Sequence, residues 1–368
     1  MHPQPQFEEQ MQLQPNTPEE LAAALQECAD SGRGIRLGGN FSKDRMGGPI
    51  APADVTISTS TMNRVLIFEP RDLTISVEAG MSWTALTRLL DDHQMMVPLD
   101  PPAFASATVG GVVASNSSGP RRRGYGTARD VVIGMKFATL EGRIIQSGGM
   151  VVKNVAGLDM AKLMIGSFGT LAAIVSVNFK LAPKPPESLT FLFQCPTLEA
   201  AMTVRNRLIR GVVQPVALDI LNPDAAAALD LDGWVVLAQA AATGAVVARW
   251  RSELSDAAEI DNRIWERVRE LAPSWTGAVI RISCTLEGVA DAFRAWSGPM
   301  LARAGNGVCY GFATEGAGVP QGVRGLVEWG GGPDAWPATD SDFPVMQKVK
   351  NMLDPRALLN RGRLYGRI

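Results

Sequence analysis

Two histidines and four cysteines in 368 residues leave little material for the commonest metal and covalent chemistries. The cysteines, Cys28, Cys195, Cys284 and Cys309, stand far apart with no C-x-x-C pair. That spacing gives no disulfide framework, no zinc site and no iron–sulfur ligand set. A reduced, cytoplasmic compartment is the simplest fit. No His/Asp/Glu cluster of metal-holding spacing occurs either. Net charge is only −2, so the strongly basic footprint of a nucleic-acid-binding protein is missing. The opening "MHPQPQFEEQMQLQP" has no apolar core behind a positive end and does not read as a signal peptide.

Long apolar runs are scarce. The stretch Leu163 to Phe179 carries no charge, but it is short for a membrane span and holds Gly166, Ser167, Gly169, Thr170, Ser176 and Asn178. Asp159 to Ile165 has helix formers, and "LAAIVSVNFKL" has β-branched residues with late alternation. Helix, glycine turn and strand is therefore the expected order, with no transmembrane segment.

What is present is an ordinary globular composition, 46% hydrophobic and 20% charged, long enough for two or three domains. "LAPKPPES" (Leu181 to Ser188) and "GGGPDAWPATDSDFP" (Gly330 to Pro344) are proline- and glycine-rich seams. Between them strand and helix patterns alternate. Strands are expected at "LTFLFQC", "VALDIL", "WVVLAQA", "AVIRISC", "VCYGFAT" and "RGLVEW". Helices are expected at "TLEAAMTVRNRLI", "AVVARWRSELSDAAEIDNRIWERVREL" and "LEGVADAFRAWSGPMLARA". The rhythm is that of a twice-repeated strand–helix–strand module, ferredoxin-like with extra pieces. The N-terminal part begins with a helix that Thr17 can cap and Glu20 can close as a capping box. The tail reads as a helix stopped before Pro355.

Three glycine turns recur: "RLGGNFSK" (Arg36 to Lys43), "TVGGVVASNSSGPRRRGYG" (Thr108 to Gly126) and "IGSFGTL" (Ile165 to Leu171). Glycine lets a backbone approach a ligand closely and point amides at a pyrophosphate. In the second turn the donors at a helix start suit a phosphate diester. None is a G-x-G-x-x-G Rossmann fingerprint or a Walker loop, which argues against a nicotinamide enzyme.

In order, "GGN", "VEAGMSWTAL", "PLDPP", "ATVGGVVASNSSGPRRRGYGTARDVVIGMKFATLEGRII", "KNVAGLDMAKLMIGSFGTL" and "LDPRALLNRGRL" resemble the flavoproteins of vanillyl-alcohol oxidase (PCMH) type. Within them the similarity is to the FAD-binding E subunits of bacterial glycolate oxidases. It covers most of residues 30 to 186 and the last 25. The resemblance implies an α+β fold: a two-lobed PCMH-type FAD-binding domain over residues 1–186, a smaller ferredoxin-like α+β cap or substrate domain over 187–339, and a segment 340–368 returning to the FAD domain. It places Gly38, Gly39, Asn40, Phe41 and Ser42 around the FAD pyrophosphate. Thr108, Gly110, Gly111, Ala114, Ser115, Asn116, Gly119, Tyr125 and Gly126 match the second cofactor loop. Gly166, Ser167, Gly169 and Thr170 match the third, and Asn360 stands where relatives often carry Asn-Pro-Gly. Relatives that tether flavin do so through a histidine or cysteine; Asn40 stands in the first loop here, so noncovalent FAD is implied. Phe168 and Ala172 depart from an acidic residue and a glycine common in related dehydrogenases. The resemblance further implies a larger FAD subunit and an iron–sulfur subunit as partners, with a 2-hydroxy acid such as glycolate as substrate. It implies a cytoplasmic location, with attachment to the inner membrane open through partners.

Oxidising a hydroxy acid takes a base for the hydroxyl and a cation for the carboxylate. His2 lies in the tail and His93 ends a helix, where a terminal charge explains it. Lys153 and Asn154 flank the third loop; Asp159 and Lys162 read as a local ion pair. Arg121 to Arg123 could screen phosphates, dock a partner, or be solvated. Trp83 and the later tryptophans read as packing. Of the tyrosines, only Tyr125 falls in a matched loop, and no catalytic residue is assigned. Two other functions stay open: an autonomous flavin dehydrogenase whose middle-domain arginine holds the carboxylate, and an assembly subunit with a degenerate flavin pocket.

Overall fold

In the computed structural model residues 11–150, 158–212, 214–332 and 334–368 are described. Lys153, Asn154 and His2 lie outside them. Helix Pro18–Ser31 starts as the sequence requires: the Thr17 side chain accepts from Glu20 N, and Gly32 at φ +70° ends it. The Glu20 carboxylate takes the Asn16 amide instead of closing on Thr17. This helix covers a three-stranded parallel sheet of Met11–Leu13, Val55–Ser58 and Ile35–Gly38.

The second lobe is a five-stranded antiparallel sheet, in the order Val65–Glu69, Thr74–Glu78, Ala173–Lys180, Val132–Ala138, Ile144–Gly148. Strand Ala173–Lys180 is its central member and is buried on both faces down to Phe179, which explains the lack of charge. Helices Trp83–Asp91 and Val109–Ala114 pack on it, with Trp83 edge-on to Phe179 at 6.1 Å. Among the described residues no helix is long and apolar enough to cross a membrane.

The third sheet has eight strands and two similar halves. In the first, strand Glu187–Cys195, helix Leu198–Arg210, strand Ala217–Leu221 and strand Trp234–Ala242 follow in sequence, and the last pairs between the other two. In the second, Val279–Ser283, helix Val289–Ala295, Met300–Arg303 and Val308–Phe312 repeat that order. Strands Ala217–Leu221 and Met300–Arg303 join the halves antiparallel. The ferredoxin-like expectation thus holds, as two strand–helix–strand–strand units side by side. Helices Leu198–Arg210, Gly244–Glu253 and Val289–Ala295 pack on one face. The other face meets Met46 and Phe168 of the first two lobes.

Two expected long helices break. The helix expected to run through to Ala304 stops at Ala295, because Gly298 takes φ +106° and Pro299 follows; Met300–Arg303 becomes a strand. The stretch Ala245 to Leu271 divides into helices Gly244–Glu253 and Ile264–Ser274 around strand Ala258–Ile260, which pairs with Glu187–Cys195. Helix Phe343–Leu353 ends before Pro355 as expected, and Leu359 then bridges Ile35 in parallel. Buried Lys350 fixes that return: its Nζ donates to Asp354 Oδ2 at 2.6 Å and Thr170 O at 2.7 Å.

Candidate functional site

Strand Ile35–Gly38 ends in a turn that only glycine permits. A Cβ on Gly38 would come within 2.6 Å of the Phe41 ring, and one on Gly39 within 2.7 Å of Thr108 Cγ2. The first and second glycine turns therefore lie against each other. Phe41 has φ +54° and stacks under the Arg36 guanidinium, which pairs with Asp44. The amides of Gly39, Asn40, Phe41, Ser42 and Lys43 find no acceptor among the described residues. A row of unpaired N–H groups is rare in folded protein unless water or a ligand takes them.

The second turn behaves differently from expectation. Thr108 caps helix Val109–Ala114 by accepting from Gly111 N, and Gly110 N donates to Ala79 O at 2.7 Å. Those donors are satisfied within the chain because the helix packs directly on the exit of strand Thr74–Glu78. The row of free donors belongs to the first turn, and in the third turn Gly169 N has no acceptor among the described residues either. The third turn is threaded by Gly166 (φ +82°), Phe168 (φ +53°) and Gly169 (φ +69°), and Phe168 N donates to Ala114 O at 2.8 Å.

All three turns and the C-terminal segment meet in one cleft with about 680 Å³ of empty space, partly open to solvent. Gly38, Gly39, Asn40, Phe41, Ser42, Thr108, Gly110, Gly111, Ala114, Ser115, Gly169 and Asn360 line it. Leu37, Lys43, Asp44, Thr59, Ala79, Phe168, Ala172, Ile174 and Arg363 line it too, without having been picked as cofactor-binding residues. For Ala79 and Ile174 the only sequence signal is position at a strand end or inside a strand. No histidine or cysteine is in the lining.

Asn360 acts as a staple. Its Oδ1 accepts from Leu37 N at 2.8 Å, and its Nδ2 donates to Leu37 O and Phe168 O, tying the first turn to the third. Arg363 Nη1 gathers the carbonyls of Asp44, Met46 and Gly48, while its buried Nε has no partner. Burial lowers Arg363 to about 10. Burial likewise lowers Lys43 to about 8, with Glu270 and Glu328 acting against it; its ammonium donates to Pro102 O.

The remaining expected residues stand outside the lining. Gly119 packs against Asp100, to which its amide donates at 3.1 Å. Ser167 and Thr170 are buried and bond within their own turn. Gly166 lies beside Asn116, whose buried Oδ1 has no partner. Gly126 at φ +80° abuts Asp130, and Tyr125 lines a second cleft with Arg121, Phe104 and Trp265. His93 is exposed, edge-on to Phe68 at 4.8 Å. Lys162 donates to the carbonyls of Arg129 and Val132 and forms no ion pair with Asp159 among the described residues. The arginine run is half-buried and stands outside the cleft. Arg121 Nε reaches Gln239, and Arg123 bonds Pro215 O, Gly305 O and Gln214, so the run clamps the second lobe to the eight-stranded sheet.

Residues 10–148 match the FAD binding domain family. A cradle of close-packed glycines with unpaired amides fits the pyrophosphate of such a cofactor. That part of the chain therefore carries an FAD binding domain. It is 28% identical to glycolate oxidase subunit GlcE of Escherichia coli over 348 residues, covering 90% of this chain and 92% of that one. It is 34% identical to glycolate oxidase subunit GlcD of Bacillus subtilis over 161 residues, which cover 44% of this chain but only 34% of GlcD. A cytochrome-linked D-lactate dehydrogenase of Saccharomyces cerevisiae is 30% identical over 229 residues, 60% of this chain and 38% of the yeast protein. The fold is shared with alkyldihydroxyacetonephosphate synthase, at a TM-score of 0.69 and 17% identity, over 95% of this chain and 75% of that one.

Proposed function

We propose that the chain is the FAD-binding subunit of a glycolate oxidase-type complex, which oxidises a 2-hydroxy acid to its 2-oxo acid and passes the electrons on to partner subunits. One observation carries the reading: three glycine turns and the tail, far apart in sequence, converge on a cleft whose first turn offers five amides without partners among the described residues. Its similarity to GlcE along nearly the whole chain supports the subunit role. Gly38 to Lys43 would hold the pyrophosphate, Asn360 keeps the first and third turns in register, and Arg363 braces the outer side of the first turn. When bound, FAD supplies the two-electron acceptor.

The attachment is noncovalent, since neither side chain that tethers flavins lines the cleft. Residues 187–339 act as a cap over the bound cofactor. By the resemblance to glycolate oxidase subunits, the partners are a larger FAD subunit and an iron–sulfur subunit; the four cysteines of this chain are free and three of them are buried. Any peripheral contact with the inner membrane comes through those partners, and the complex resides in the cytoplasm.

The test is a visible spectrum of the purified chain before and after acid precipitation, with anaerobic glycolate added to the native sample. A flavin band released into the supernatant is the expected result. Bleaching by glycolate would show autonomous turnover instead of dependence on partners. Absence of flavin even after incubation with FAD would defeat the reading.

A further inference from the structure

The second half of the eight-stranded sheet brings together two cysteines that no spacing motif joins. Strands Val279–Ser283 and Val308–Phe312 pair antiparallel, with Ile282 opposite Cys309. The ladder runs one rung further, since Cys284 N donates to Gly307 O at 2.8 Å. Side chains two apart on a strand share a face, so Cys284 and Cys309 stand diagonally on the same side of the sheet. The residue directly opposite Cys284 is a glycine, which puts no side chain between the two thiols. Gly307 takes φ +69°, and a Cβ on it would lie 2.1 Å from Cys284 O. Both thiols belong to the face covered by helices Leu198–Arg210 and Val289–Ala295, away from Met46, Phe168 and the cofactor cleft.

Their surroundings differ. Cys309 is fully buried, whereas Cys284 is half-buried at the strand end, between exposed Ser283 and Thr285. The Cys309 thiol donates to the Cys284 sulfur, which keeps Cys309 protonated and draws Cys284 below its ordinary value. A cation stands beside them. Arg205, only 3% exposed on helix Leu198–Arg210, acts on both sulfurs. Its Nη2 donates to Leu286 O at 2.8 Å, in the loop that follows Cys284, and its buried Nε has no partner among the described residues. A guanidinium held in this way favours negative charge on a neighbouring thiol. At Cys28 and Cys195 burial dominates instead and pushes the thiols up.

We propose that Cys284 and Cys309 form a peroxide-reactive thiol pair, in which Cys284 is oxidised first and Cys309 resolves it as an intrachain disulfide. The Cys284 thiolate attacks one oxygen of a hydroperoxide, here hydrogen peroxide. The O–O bond breaks, Cys284 becomes a sulfenic acid, and hydroxide leaves. The Cys309 thiol then attacks the sulfenic sulfur. An S–S bond forms, the S–O bond breaks, and the departing hydroxide takes the thiol proton as water. In sum the two sulfurs lose an electron pair, and the peroxide gains it. A dithiol reductant reverses the step by exchange, so the pair is compatible with a reducing compartment.

The experiment treats the full chain with hydrogen peroxide at neutral pH, blocks the remaining thiols and maps the peptides by mass. The expected product is a linked peptide pair carrying Cys284 and Cys309, lighter by two hydrogens and restored by dithiothreitol, before Cys28 or Cys195 changes. Cys309→Ala should abolish the link and leave Cys284 as a sulfenic acid that dimedone traps. Cys284→Ala should leave Cys309 unoxidised at the same dose. Arg205→Met should slow loss of the Cys284 thiol by roughly three- to tenfold, as its thiolate fraction falls. First oxidation at Cys28 or Cys195, a link that forms only between separate chains, or intact thiols at a dose that oxidises exposed methionines overturns the proposal. Should the buried Arg205 variant fail to fold, the wild-type link and the two alanine variants still decide it.

Discussion

Replacing Gly39 with alanine tests the packing of the first turn on the second. The new methyl would sit 2.7 Å from Thr108 Cγ2 and 2.9 Å from its Cβ, with Oγ1 closer still, where ordinary contact begins at 3.4 Å. Thr108 cannot turn aside freely, because it is 2% exposed and its hydroxyl caps helix Val109–Ala114. Overpacking of this kind costs about 1–3 kcal/mol, and abandoning the cap about 1 kcal/mol. The cheaper response is for the turn to swing away, carrying its five free amides with it. FAD affinity should then fall about 10- to 100-fold, since each ~1.4 kcal/mol is a factor of ten. Urea unfolding of the FAD-free chain and fluorescence titration with FAD measure the two effects. In a Thr108→Ala background the Cγ2 and Oγ1 clashes vanish, so Gly39→Ala should cost about 1 kcal/mol less there. Additivity within about 0.3 kcal/mol, or a neutral Gly39→Ala in both backgrounds, would refute the reasoning.

Lys43 gives a pH signature. Its folded value of about 8 lies below the ordinary 10.5 because of burial, so between those values the unfolded chain binds more protons. The cost of burying the ammonium is fully present below pH 8 and is relieved by about 3 kcal/mol as pH rises toward 10.5; the wild-type minus Lys43→Met stability difference should show that rise, and a flat difference contradicts it. Asn360→Ala removes three hydrogen bonds at a residue with φ +42°, and should cost about 2–4 kcal/mol by thermal unfolding. Asn360→Gly should recover about 1 kcal/mol of that, and equal losses would argue against backbone strain. Cys284 is drawn below its ordinary value by a hydrogen bond from the Cys309 thiol, with Arg205 helping against burial. It should therefore be the first cysteine alkylated by iodoacetamide at neutral pH, more slowly after Cys309→Ala; earlier labelling of Cys28 or Cys195, followed by peptide mass mapping, would count against it.

What the sequence determined by itself is local. Thr17 and Gly32 bound their helix because caps and left-handed glycines act within a few residues. Gly166 and Gly169 announce the turn before a buried strand, and alternation reveals that strand as β rather than membrane-spanning. Motif order was enough to pick most of the cleft lining. What only tertiary structure decided depends on pairing across long separations. The amides at the start of the second turn's helix are consumed by Ala79 and Thr108, so the row of free donors in the cleft comes from the first turn instead. The arginine run meets acceptors 91 to 182 residues away and becomes a clamp. Glu328 becomes an extra residue in its strand only because the pairing with Val279–Ser283 slips by one position. Sequence periodicity fixes which residues alternate, but a bulge and the partners across a sheet are set by whatever the neighbouring strand presents.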